Sequence, residues 1–311
     1  MGKTAFIFPG QGAQYAGMGA DFCEKYGEAA KVYEEASDTV GMDVRALCFE
    51  KNDRLDLTEY TQIAMAATEI AILRVILSKG IKAELAAGLS LGEYGALAAC
   101  SVMKDRDIFR VVRKRGIYMQ NAYPSGGGMT AVLGMDGDRV SEICEIVAKE
   151  SGKPVSVANY NCPGQIVITG EKSAVDEAAE KLAEAGAKRC IPLKVSGPFH
   201  SMLLKEASGE LGKELDTADI SDPAMPYVTN VTADYVTEKD EVKELLVRQI
   251  YSPVKWQQSI ERMAQDGTEA FIEIGPGKTL TGFMKKIDPS LKAYHIGSVE
   301  ELEKYLEETD A

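Results

Sequence analysis

The sequence is poor in the residues that build metal centres and disulfides. It has only two histidines and six cysteines among 311 residues. The cysteines lie far apart and form no C-x-x-C pair, which is typical of reduced, buried thiols rather than of disulfides or a zinc site. We therefore expect no metal in this protein.

The sequence also lacks the apolar segments of exported and membrane proteins. The apolar stretch at residues 5–8 is too short for the core of a signal peptide and stops at Pro9. No other segment is expected to reach the apolar length that spans a bilayer. These features predict a cytoplasmic protein that does not use a membrane as a partner.

Basic residues are outnumbered, with 35 Lys and Arg against 48 Asp and Glu, so the net charge is −13. This charge argues against nucleic acid as a partner and also against anionic membranes. The hydrophobic share of 45% and charged share of 27% are ordinary for a globular protein. The length favours two domains, or one large domain that carries an insertion.

One stretch stands out, in which the apolar residues 85–87 lead into Gly-Leu-Ser-Leu-Gly and then into the alanine-rich residues 93–99. This pattern predicts a strand, a sharp turn and a helix, with the hydroxyl of Ser90 exposed at the end of a sheet. Ser90 is the candidate nucleophile, because the helix behind it would direct its unpaired N–H groups at a developing oxyanion. An ordinary glycine-rich turn fits the same motif, so a base is needed to decide.

The base has to be sought between two histidines. His200 directly follows the point where the chain returns from a predicted inserted domain to the parent sheet, which is a common place for a cleft. We take His200 as the general base for Ser90. His295 is the alternative, and its neighbours Tyr294 and Ile296 indicate a position in a sheet.

Gly10-Gln11-Gly12 follows the first predicted strand, Lys3–Phe8. A dinucleotide-binding fingerprint fails here, because Tyr15 occupies the position of its third glycine. Gln11 is in a place to offer a backbone N–H to the same site as Ser90. A plain glycine turn is the simpler interpretation.

Other candidate binding groups come from two segments. Arg115 and Met119 lie near the end of a predicted arginine-rich helix, where sequence alone does not separate a site arginine from a surface one. Asn159, Asn161 and Gln165 lie between two predicted strands, where they are candidate cleft residues or parts of a polar hairpin turn.

The periodicity of the chain changes after the glycine-rich joint at residues 125–128. The following segments predict strand, helix, strand, strand, helix and strand, which is the split βαββαβ unit of ferredoxin-like domains. We expect an inserted small domain at residues 124–196 and a parent α/β domain formed by residues 1–123 and 197–311.

Five motifs, taken in order, resemble the malonyl-CoA:acyl carrier protein transacylases, acyltransferases of fatty-acid and polyketide synthesis. Together the motifs extend from the first predicted strand to the last, and the combination is far more specific than any one of them. The resemblance implies an α/β-hydrolase-like core with an inserted ferredoxin-like domain. The motifs are Gly10-Gln11-Gly12-Ala13-Gln14, the Ser90 turn, Gly197-Pro198-Phe199-His200-Ser201, the segment from Arg248 to Trp256, and Glu273-Ile274-Gly275-Pro276-Gly277.

By position, the resemblance implies that Ser90 is the nucleophile and His200 the base. The backbone N–H groups of Gln11 and Leu91 would form the oxyanion hole. The backbone carbonyl of Gln249 would orient His200, which explains why no acidic residue stands out as a third member.

The resemblance also implies that Arg115 pairs with the malonyl carboxylate. Phe199 resembles the bulky residue of malonyl-selective relatives, because a ring there limits the space at C2. The motif departs from the family at Leu89, where the residue before the serine is usually histidine. The remaining candidate substrate contacts are Met119, Asn159, Asn161 and Gln165.

The implied activity is transfer of malonyl from malonyl-CoA to the phosphopantetheine thiol of acyl carrier protein through a malonyl-serine, with no metal or other cofactor. Within the family, an acyltransferase of a polyketide synthase with another acyl preference stays open. A serine esterase or thioesterase would use the same turn but would gain nothing from Arg115. A non-catalytic acyl-binding module would tolerate loss of Ser90 or His200.

Overall fold

The computed structural model describes residues 2–309, and its helices and strands alternate along most of the chain. The strands are β1 Lys3–Phe8, β2 Leu85–Gly88, β3 Gly127–Leu133, β4 Val155–Cys162, β5 Gln165–Glu171, β6 Arg189–Pro192, β7 Tyr227–Val228, β8 Tyr235–Val236, β9 Thr268–Ile274 and β10 Lys292–Ile296. The helices are α1 Ala20–Lys25, α2 Gly27–Val40, α3 Val44–Phe49, α4 Thr58–Ser78, α5 Glu93–Ala99, α6 Asp105–Ala122, α7 Gly137–Ser151, α8 Lys172–Glu184, α9 Lys205–Leu215, α10 Lys239–Gln249, α11 Trp256–Gln265, α12 Thr279–Ile287 and α13 Val299–Thr309. Short 3₁₀ turns occupy Ser90–Gly92 and Met202–Leu204.

The larger sheet has the strand order β10-β9-β1-β2-β7-β8 and is parallel except for the pairing of β7 with β8. Side chains of β1 alternate between its two faces, as a strand requires. Phe6 and Phe8 pack into one core, whereas Ala5 and Ile7 pack into the core on the opposite face. Burial on both faces explains why β1 is a continuous apolar run, and its predicted bounds are confirmed.

The smaller sheet is antiparallel, with the order β4-β5-β3-β6 and with α7 and α8 packed on it. This is the arrangement of a ferredoxin-like unit, so the βαββαβ prediction is confirmed. The joint predicted at residues 125–128 is shorter than expected, because Gly127 and Gly128 already pair with β5. Gly127 also packs on Pro198, where the chain returns to the larger sheet.

Helix α4 is long and apolar enough, by length and composition alone, to cross a membrane, so the expectation that no segment reaches that length was wrong. In its most apolar window, 83% of the residues are buried inside the protein. The helix packs against α2 and α6. Its apolar character therefore reflects its place in a hydrophobic core of the protein.

The chain changes direction at Tyr26, whose extended backbone separates α1 from α2. Strand β7 ends at Val228, and the chain then turns through Asn230. This turn places the side chain of Asn230 near the carboxyl end of β2.

Candidate active site

Ser90 lies on the turn between β2 and α5, and its backbone has a φ of 54°. This left-handed conformation is uncommon for a residue with a side chain and is typical of a strained turn at a functional site. The two glycines of the motif allow the close crossing that the turn requires. A Cβ on Gly88 would lie 1.9 Å from the backbone of Gly92, and one on Gly92 would lie 2.2 Å from the carbonyl oxygen of Phe8.

Ser90, His200 and Gln249 form a hydrogen-bonded chain. His200 Nε2 lies 2.8 Å from Ser90 Oγ, and His200 Nδ1 lies 2.8 Å from the backbone oxygen of Gln249. Because a carbonyl oxygen only accepts, the proton of the neutral ring belongs on Nδ1. The lone pair of Nε2 then faces the serine hydroxyl, which is the arrangement that a general base needs.

The backbone of Ser90 is held on both sides by side-chain amides. Its N–H donates to Asn230 Oδ1 at 2.6 Å, and its carbonyl accepts from Gln249 Nε2 at 3.0 Å. The Ser90 N–H is therefore already paired, and the oxyanion donors have to come from neighbouring amides. Gln11 and Leu91 both line the cavity beside Ser90, and the Gln11 side chain is anchored by donation to Thr58 Oγ1 at 3.0 Å.

Arg115 lies in the same cluster and is 1% exposed. Its Nη1 donates to Gln62 Oε1 at 2.7 Å, and its Nη2 donates to Gln249 Oε1 at 2.9 Å and to Ser90 Oγ at 3.2 Å. The guanidinium also lies over the ring of Tyr94, 5.6 Å from the ring centre. A buried cation is thus fixed beside the candidate nucleophile, where it can meet an anionic group of a bound acyl chain.

The charges in this cluster are shaped by burial. Burial, and secondly the positive charge of Arg115, lower the pKa of His200 to about 4. Burial also lowers the pKa of Arg115, whereas Tyr94 and Glu93 oppose that shift. The imidazole is therefore neutral, and ready to accept a proton, well below the pH at which an exposed histidine becomes charged.

We expect the acid limb of the pH profile of acylation to lie near pH 4. Only neutral His200 accepts the proton of Ser90, and its lowered pKa means that activity is lost as the pH falls through about 4 rather than through about 6.5. The measurement is the rate of CoA release in the first turnover across this range. A limb near 6.5 would contradict the assignment. Arg115→Ala, assayed with acetyl-CoA, should have its limb at a higher pH because a positive neighbour has been removed.

A cavity of about 660 Å³ opens between the two sheets at Ser90. The site residues that the sequence analysis predicted line it, except Gln249, which lies behind Arg115 and His200. Leu89 lines the cavity as well and packs closely on Gly10. The predicted site residues on its wall are Gln11, Ser90, Leu91, Arg115, Met119, Asn159, Asn161, Gln165, Phe199 and His200.

His295, the alternative base, lies in β10, as its neighbours indicated. Its Nε2 faces the carbonyl oxygen of Gly275 at 3.0 Å, and its Nδ1 lies 3.0 Å from a carboxylate oxygen of Glu301. It does not line the cavity at Ser90. Within residues 2–309, no group of three or more His, Cys, Asp or Glu side chains is placed to hold a metal ion.

The sequence analysis missed three residues that hold the site residues in place. Gln62 accepts a hydrogen bond from Arg115, and Asn230 accepts one from the backbone N–H of Ser90. Glu93 accepts hydrogen bonds from Gln249 and from Asn230. A signal was present for Glu93, because it is the one acid in the apolar helix that follows the serine turn. For Gln62 and Asn230 the sequence carried no comparable signal.

The chain matches the model of the acyl transferase domain family over residues 5–299. A relative from Bacillus subtilis named malonyl CoA-acyl carrier protein transacylase is 45% identical over 305 residues, which cover 97% of this chain and 96% of the relative. The residues matched by the family model, 5–299, include all of the candidate site residues.

Solved structures agree with this similarity. An acyl carrier protein S-malonyltransferase from Vibrio cholerae is 40% identical, with a TM-score of 0.95 over 97% of this chain and 99% of that one. A structure of a type II PKS acyl-carrier protein in complex with its malonyl-transacylase is 39% identical, with a TM-score of 0.94 over 98% of this chain and 99% of that one. The α/β architecture with its second, ferredoxin-like sheet is thus shared along nearly the whole length.

Proposed function

The chain belongs to the acyl transferase domain family, and we propose that it transfers malonyl from malonyl-CoA to the phosphopantetheine thiol of an acyl carrier protein through an ester on Ser90. Such a transfer supplies fatty-acid synthesis. The observation that carries the proposal is the buried guanidinium of Arg115, 3.2 Å from the hydroxyl of Ser90. A general serine hydrolase has no use for a fixed cation at that place, whereas a malonyl transferase has to hold a carboxylate there.

In the first half-reaction, Ser90 Oγ attacks the thioester carbonyl carbon and its proton passes to His200 Nε2. The carbonyl of Gln249 accepts from His200 Nδ1–H and stabilises the imidazolium that forms. The N–H groups of Gln11 and Leu91 stabilise the oxyanion. The C–S bond then breaks, and His200 returns its proton to the departing CoA sulfur, which leaves a malonyl ester on Ser90.

In the second half-reaction, the phosphopantetheine thiol occupies the place that CoA has left. His200 takes the thiol proton while the sulfur attacks the ester carbonyl carbon. The same two N–H groups stabilise the second oxyanion. The C–O bond then breaks, and Ser90 recovers its proton from His200. The malonyl thioester leaves on the carrier, and the enzyme returns to its starting state.

Each step of this scheme uses a group of the chain itself as nucleophile, base or oxyanion donor. We therefore propose that the reaction needs no cofactor beyond its two substrates. We also propose a cytoplasmic location. The six cysteines are all unpaired in the described part of the chain, which agrees with a reducing compartment.

We expect Arg115→Ala to lose malonyl transfer while acetyl transfer is retained. Removing one partner of a buried, hydrogen-bonded charge pair costs about 2–5 kcal/mol, which corresponds to roughly 30-fold to 5,000-fold in kcat/KM for malonyl-CoA. Acetyl-CoA has no carboxylate and loses no such contact. Arg115→Lys should recover only part of the lost kcat/KM, because lysine keeps the positive charge but cannot form a bidentate pair with a carboxylate.

The measurement is kcat/KM for malonyl-CoA and acetyl-CoA in the wild type, Arg115→Ala and Arg115→Lys, with holo acyl carrier protein as acceptor. Arg113→Ala is the matched control, because Arg113 lies on the same helix but pairs with Glu59. An equal loss with both donors would make Arg115 a structural residue and would favour an esterase. Release of free malonate in place of malonyl carrier would favour a thioesterase.

A further inference from the structure

Glu93 is the first residue of α5, three positions after Ser90, and it is fully buried. One of its carboxylate oxygens, Oε2, accepts two hydrogen bonds. It accepts from Gln249 Nε2 at 2.6 Å and from the backbone N–H of Asn230 at 3.1 Å. Glu93 therefore joins the helix that follows the nucleophile to the two segments whose amides hold the Ser90 backbone.

The amide of Gln249 has to point in one direction for Arg115 to be held. Its Oε1 accepts from Arg115 Nη2, and its Nε2 donates to Glu93 and, at 3.0 Å, to the carbonyl oxygen of Ser90. A flipped amide would place its NH₂ group against the guanidinium, so that donors would face each other. Glu93 provides the shortest of the three contacts that oppose this flip, since Nε2 also lies 3.5 Å from Asn230 Oδ1.

We propose that Glu93 is a positioning residue for malonyl recognition, which orients the Gln249 amide and, through it, the guanidinium of Arg115 beside Ser90. This inference rests on the proposed function. Glu93 does not line the cavity, so it acts only through the residues it holds. Burial raises the pKa of Glu93 to about 7, and in its ionised form the carboxylate favours the charged form of Arg115, against the effect of burial.

The two roles of Gln249 predict which step depends on Glu93. Its side chain holds Arg115, whereas its backbone carbonyl, at the end of α10, holds His200. Losing Glu93 removes the shortest contact of the side-chain amide but leaves the helix backbone in place. The loss should therefore weaken recognition of the malonyl carboxylate more than it weakens the chemistry at Ser90.

The test compares Glu93→Ala with Glu93→Gln in kcat/KM for malonyl-CoA and acetyl-CoA. A buried donor that loses its acceptor costs enough that Glu93→Ala should lower the ratio of malonyl to acetyl transfer by roughly 10-fold to 100-fold. Glu93→Gln should keep the ratio within about 3-fold of the wild type, because it retains an oxygen for both donors. Its new NH₂ group would meet the buried hydroxyl of Thr229, which lies beside the carboxyl.

A double variant separates positioning from general damage. In an Arg115→Ala background, Glu93→Ala should leave the ratio of the two donors unchanged, because the group it positions is gone. If Glu93→Ala does not fold, Gln249→Leu makes the same test, since it removes the amide and keeps the backbone carbonyl.

Three results would each overturn the proposal. The first is an equal loss of kcat/KM with both donors in Glu93→Ala, and the second is a malonyl-to-acetyl ratio in Glu93→Gln as low as in Glu93→Ala. The third is a further fall of that ratio when Glu93→Ala is added to Arg115→Ala. These results differ from failure of the proposed function. That failure would appear in the wild-type protein, as the absence of any preference for malonyl-CoA over acetyl-CoA.

Discussion

Replacing Ser90 with alanine is expected to lower kcat for malonyl transfer by on the order of 10⁶-fold, the loss typical of removing a serine nucleophile. The fold should survive, because Asn230 and Gln249 hold the Ser90 backbone rather than its hydroxyl. Alanine also adds no strain to the turn beyond that which serine already bears there. The loss should therefore appear in catalysis and not in the unfolding temperature.

The measurement is the rate of malonyl transfer to holo carrier protein, together with thermal unfolding of each variant. Ser141→Ala is the control, because Ser141 lies on α7, which packs on the smaller sheet, and does not line the cavity. Retention of more than about a hundredth of the wild-type rate in Ser90→Ala would remove Ser90 from the role of nucleophile.

Replacing His200 with alanine is expected to slow acylation by about 10²-fold to 10⁴-fold, as loss of a general base does. The hydroxyl of Ser90 would then have no acceptor for its proton at the Nε2 position, 2.8 Å away. The oxyanion donors and Arg115 would remain, so a residual rate should persist. His200 contacts the backbone of Gln249, and its removal should leave malonyl-CoA binding largely unchanged.

His295→Ala is the matched control for this substitution, since it removes the second imidazole and leaves the cavity intact. His295 contacts Gly275 and Glu301, away from Ser90. Single-turnover release of CoA measures both variants. If His295→Ala is the slow variant and His200→Ala is close to the wild type, the base has been assigned to the wrong histidine.

Much of the site was predictable because its signals are local. The serine turn is encoded within a few residues, by glycines that only a close crossing requires and by the change from an apolar run to an alanine-rich helix. The split βαββαβ unit was predictable for a similar reason, since each of its strands and helices has its own periodicity.

The burial of Arg115 was also readable in principle. It falls on the same helical face as Val111 and Met119, four residues to either side, and all three are buried. The other arginines of α6 fall outside that face, and Arg110 and Arg113 pair with carboxylates instead. The sequence analysis left Arg115 open between a site residue and a surface charge, although its spacing pointed to the core.

The supporting amides were not predictable, because their partners are distant in sequence. Asn230 and Gln249 contact Ser90 across 140 and 159 residues, and the resemblance marked only the backbone carbonyl of Gln249, not its side-chain amide. The place of Asn230 follows from the parallel sheet, which brings the ends of β2 and β7 together. The apolar length of α4 was underestimated, and only its burial shows that this apolar helix belongs to the core.

The central claim is that malonyl passes through an ester on Ser90, and intact mass analysis after mixing with malonyl-CoA tests it most directly. We expect the wild-type protein to gain the mass of one malonyl group, to carry it on the peptide that contains Ser90, and to lose it when holo acyl carrier protein is added. Ser90→Ala should gain no mass. An adduct on any other residue, or transfer to the carrier with no adduct formed, would contradict the account.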